Sequence, residues 1–106
     1  MSGYTLEGLS GFIAEQVQDI QRHGRTHAGY VEHYRADIES GFISENRAKF
    51  ICNCDASGLM GLLCEYRDIR GSSIPVREID EQVSKFFGEE FDEKAHYGLW
   101  KFILSI

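Results

Sequence analysis

The chain has one proline, one tryptophan, two methionines and three cysteines in 106 residues, and it holds no long apolar run. Each scarcity excludes something. A small, odd number of cysteines argues against a disulfide framework, and Cys52 and Cys54 in CxC are poorly placed for a mutual bridge. They read as reduced thiols of a cytoplasmic protein, serving as small core residues. The most apolar stretch, around Leu99 to Leu104, is broken by Lys101 and is far shorter than the about 20 residues a spanning helix needs. The opening MSGYTLEG has neither a basic region nor an apolar core, so a secretory signal is not expected.

Catalytic motifs are missing as well. Ser10 in GLSGF is no nucleophile elbow, because glycine follows one position too early. Neither GxxxxGK[ST] nor GxGxxG occurs, which removes the common phosphate-cradling loops. The acids Glu89–Glu90 and Asp92–Glu93 are adjacent and read as a solvated turn, not as two carboxylates set across a cleft.

What is present fits one globular domain over residues 1–106. Apolar residues make up 42% and charged residues 26%, and the length supports a core without staples. Leu6, Leu9, Ile13, Val17 and Ile20 recur at helical spacing, Phe12 widens the stripe, and Gly24 follows as a stop. Thr26 is placed to cap a second helix with Tyr30, Val31, Tyr34 and Ile38 on one face until Gly41. Val76, Ile79, Val83, Phe86 and Phe87 form the stripe of a further helix, with Pro75 at its start and Gly88 at its end.

Two segments support two readings each. RAKFICNC and LMGLLCEYRD around DASG fit a hairpin with Phe50, Cys52 and Cys54 on one face, whereas Leu59, Leu62, Leu63 and Tyr66 fit a helix. In YGLWKFILSI, Trp100, Phe102 and Leu104 alternate as in a strand, while Phe91, Ala95, Leu99, Phe102 and Ile106 fit a helix. Nearly every position of that tail is apolar, so both faces should be covered, which favours a strand inside a small sheet. The expected fold is therefore α+β: two N-terminal helices, a β-hairpin over residues 47–67, an acidic helix and a C-terminal strand over 96–105. An all-α bundle is the alternative.

Charge is concentrated. The net charge is −6, and residues 78–93 carry seven acids against Lys85, so this window holds all of it. Such a patch repels nucleic-acid phosphates and attracts cationic surfaces. Arg22, Arg25 and Arg35 make a mildly basic corner with the histidines, and Arg67, Arg70 and Arg77 make another, but neither is dense. Direct nucleic-acid binding is not expected.

The stretch HGRTHAGYVEH holds three of the four histidines. His23 and His27 are four apart, the spacing of two zinc ligands on one helix face, but Gly24 and Thr26 between them are loop and cap signals. The stretch reads as a connection into the Tyr30 helix. Cys54 beside Asp55, with a histidine elsewhere, is the minimum for a thiol nucleophile and little more.

The profile is that of a stoichiometric binding protein: an inhibitor or immunity-type protein whose acidic surface docks on a basic, nucleic-acid-handling partner such as a nuclease. Glu78, Glu81, Glu89, Glu90, Asp92 and Glu93 would supply the electrostatics, and Phe91 or Tyr97 the anchor. No cofactor or metal is expected on this reading, and no membrane contact. The rival is a small zinc- or thiol-dependent enzyme built on His23, His27, Cys52 and Cys54. A third reading is an oligomerising subunit whose C-terminal strand completes a sheet.

Overall fold

The computed structural model describes residues 6–88 and 93–106. Their architecture is all-helical, and no strand occurs among the described residues. The helices are α1 (Leu6–His23), α2 (His27–His33), α3 (Arg35–Glu39), α4 (Glu45–Arg70), α5 (Val76–Gly88) and α6 (Glu93–Ser105). The α+β expectation is overturned, and the all-α alternative is the one that holds.

The N-terminal half follows its pattern. Leu9, Ile13, Val17 and Ile20 are buried along one side of α1. Gly24 then turns the chain at a φ of 86°, a left-handed conformation that favours glycine. Thr26 caps α2 by accepting the Gly29 N–H on its hydroxyl at 3.0 Å. The expected second helix breaks in two at Tyr34, and Gly41, at φ 79°, follows α3 as foreseen.

The hairpin is the larger correction. Residues 47–67 lie inside α4, one helix of 26 residues. Its signals are at its ends. Ser44 accepts the Arg47 N–H at 3.1 Å as N-cap, and Gly71 closes the helix at φ 69°. Ala48, Cys52, Leu59, Leu63 and Tyr66 are buried at helical intervals. The supposed strand face is split, since Cys52 is buried while Phe50 is 54% exposed and Cys54 is exposed. Gly58, read as part of a loop, sits within the helix with open space above it.

The tail is corrected the same way. In α6, Leu99, Phe102, Ile103 and Ile106 are buried, whereas Leu104 is 66% exposed. Alternation fails and the helical pattern holds. Only one side of the tail is covered, because Lys94, Tyr97, Lys101 and Leu104 share an outward side. Residues 96–105, being helical, offer no strand to a neighbour's sheet.

One apolar cluster joins α1, α4, α5 and α6. Helices α1, α2 and α5 pack on α4, and α6 packs on α5. None of the described helices is long and apolar enough to cross a membrane.

Candidate docking face and the histidine–cysteine region

The α5 helix begins just after Pro75, whose fixed φ and missing N–H suit a helix start. Ile79, Val83 and Phe86 turn inward, and this phase forces Glu78, Asp80 and Glu81 to the solvent side. Among the described residues none of these three carboxylates joins an ion pair. Tyr97, on the helix that packs against α5, is 73% exposed. Glu89, Glu90, Phe91 and Asp92 lie outside the described residues, and Glu93 is described only as the first residue of α6.

The acidic window is not one uniform face. A groove of about 320 Å³ between α5 and α6 is lined by Gln82, Lys85, Phe86, Lys94 and their neighbours. Two lysines, one on α5 and one on α6, thus line this groove.

HGRTHAGYVEH is the tight connection between α1 and α2. Gly24 and Gly29 approach so closely that a Cβ on Gly24 would lie 2.8 Å from the Gly29 Cα. This turn separates His23 from His27. His23, in the last turn of α1, stacks on His33 with ring centroids 4.3 Å apart, and Tyr34 meets His33 edge-on. His27 instead bonds through Nε2 to Asn53 Oδ1 at 2.8 Å. Cys52 is buried, its thiol donating to the Arg25 carbonyl across 3.9 Å, and burial followed by the Asp55 carboxylate pushes that thiol up to about 11. Cys54 faces solvent. Among the described residues no three metal-ligating side chains come together, so His23, His27, Cys52 and Cys54 do not form a zinc set. A thiol held protonated is also the opposite of an activated nucleophile.

Three features escaped the sequence. Arg25, read as part of a basic corner, is fully buried, its guanidinium 4.9 Å from the Phe86 ring centroid. Tyr30 donates its hydroxyl to Asp55 Oδ2 at 2.5 Å. Trp100 donates its indole N–H to His96 Nε2 at 2.9 Å. Only the last had a local signal, the four-residue spacing on a helix; the others join residues 61 and 25 positions apart in sequence.

No protein-family model, curated protein or solved structure matches the chain. Any function must therefore be argued from the residues themselves.

Proposed function

We propose that the protein acts by stoichiometric binding, with the outward side of α5 docking on a basic protein partner. The observation that carries this reading is the placement of Glu78, Asp80 and Glu81. All three are exposed within two turns of one helix, and none of them forms an ion pair with a described residue. Exposed carboxylates on a rigid helix accelerate encounter with a cationic surface and set orientation. Tyr97 on the adjoining helix supplies a large, rigid side chain able to anchor once docked. An inhibitor of a nucleic-acid-handling enzyme is the class this chemistry suits, its carboxylates taking the place of phosphates.

The test is affinity capture from native lysate at low salt, followed by a rising salt gradient and mass spectrometry. One basic protein should elute in stoichiometric amount at raised salt. The triple reversal E78K/D80K/E81K should release it at far lower salt, and Tyr97→Ala should speed its dissociation. Equal retention by the triple variant overturns the reading.

A further inference from the structure

A groove lined by no α5 residue lies between α1 and α4. The groove encloses about 270 Å³. That is below the about 300–1,000 Å³ usual for sites that enclose a whole small molecule, and it suits one long side chain. Phe12, Ile20, Leu59 and Leu62 give it apolar walls, and Asp55 lines it.

Asp55 is unusual among the acids whose burial is described. It is half-buried, and the Tyr30 hydroxyl fixes its Oδ2 at 2.5 Å. Its Oδ1 carries no hydrogen bond to the described residues, and none of their cations reaches ion-pair distance. A half-buried, oriented carboxylate is costly without a counter-charge. An apolar groove lined by such a group is the chemical complement of an ammonium or guanidinium carried on a methylene stem.

We propose that the α1–α4 groove receives a lysine or arginine side chain presented by a protein partner. The apolar walls cover the stem, Asp55 Oδ1 accepts from the charged head, and Tyr30 is a positioning residue that holds the carboxylate in place. Gln16 also lines the groove and offers its amide oxygen to a second N–H. The inference rests on the reading that the partner is a basic protein, and it adds a contact that α5 does not supply.

The test is a nuclear magnetic resonance titration of the full chain with Nα-acetyl-lysine amide and Nα-acetyl-arginine amide. Nα-acetyl-norleucine amide serves as the uncharged control. At least one cationic probe should give saturable shifts at the amides of Cys54, Asp55, Gly58 and Leu62 in the millimolar range, and norleucine should not. Asp55→Asn keeps an acceptor for Tyr30 but loses the charge, and should weaken binding about tenfold. Gly58→Leu fills the groove from a helix position with open space and should abolish binding without unfolding the chain. Absence of saturable shifts from both cations, or equal binding by norleucine amide or by D55N, overturns the proposal. The E78K/D80K/E81K variant should titrate as the wild type does. Failure of the wild type to capture a basic protein, or equal retention of that protein by the triple variant, with the titration intact refutes the α5 reading alone, and loss of the titration in the wild type refutes the groove alone.

Discussion

His96 accepts the indole N–H of Trp100 on Nε2 across 2.9 Å, one turn along α6. That bond requires an unprotonated Nε2 and so fixes the neutral tautomer with its proton on Nδ1. A second proton would have to enter at Nε2 and would break the contact with Trp100. Burial, and then the charge of Arg25, hold His96 below the ordinary histidine value. The unfolded chain therefore takes up this proton first. Stability should be full above about pH 7, fall as pH drops through about 6.5, and level off once the folded-state value is passed. Urea midpoints measured between about pH 7.5 and pH 5 should show this decline, and His96→Gln should remove part of it. Parallel profiles for the two proteins would exclude the assignment.

The Gly24–Gly29 approach makes an opposite pair of predictions for two glycines. Gly24→Ala forces a Cβ into a left-handed conformation and against the backbone of Gly29. The conformation alone costs about 1–2 kcal/mol, and the overlap adds to it. Gly58→Ala places its methyl in open space within α4, where helix propensity favours alanine by about 1 kcal/mol. Thermal melts should move down for the first variant and up for the second. A neutral Gly24→Ala would mean that the α1–α2 turn is not as tight as described.

Tyr30 and Asp55 allow a similar contrast. Tyr30→Phe leaves a half-buried carboxylate without its donor and should cost about 1.5–3 kcal/mol, the range for hydrogen bonds to charged groups. Asp55→Asn keeps an acceptor and should cost less. Denaturant unfolding of the two single variants and the double variant gives the coupling directly. A coupling near zero would show that the bond contributes nothing to the folded state.

The limits of the sequence are visible in these same residues. α1 and α5 were legible because Leu9–Ile20 and Ile79–Phe86 each bury one side, and Gly24 and Pro75 mark an end. α4 was not. It carries Gly58 and Gly61 in its interior, and DASG resembles a turn when only local propensity is weighed. Ser44 and Gly71, the true ends, lie 27 positions apart, so no short window contains both. α6 misled for another reason: leucine and tyrosine on its outer side imitate a strand buried on both faces. Of the proposed docking residues, Glu78, Glu81 and Tyr97 were picked out from the sequence, and they face solvent. Asp55 was seen only as the neighbour of a cysteine, because its role depends on a tyrosine 25 positions earlier.

Cysteine labelling rates test Cys52 as a nucleophile. Alkylation requires the thiolate, and a thiol pushed up to about 11 is ionised to about one part in a thousand at pH 8. Cys52 is also buried, and its hydrogen is directed at the Arg25 carbonyl. Cys54, two positions on, faces the opposite side of the helix and is exposed. Iodoacetamide applied to the native protein at pH 8 should therefore label Cys54 first, the half-buried Cys64 more slowly, and Cys52 last. Peptide mass spectrometry over a time course reads the order, and urea should bring all three together. An enzyme using Cys52 as nucleophile requires the reverse, because its catalytic thiol must be the most reactive in the chain. Early labelling of Cys52 would revive that chemistry and would contradict the burial that shapes α4. Late labelling excludes Cys52 as the nucleophile and leaves Cys54 as the accessible thiol of the chain.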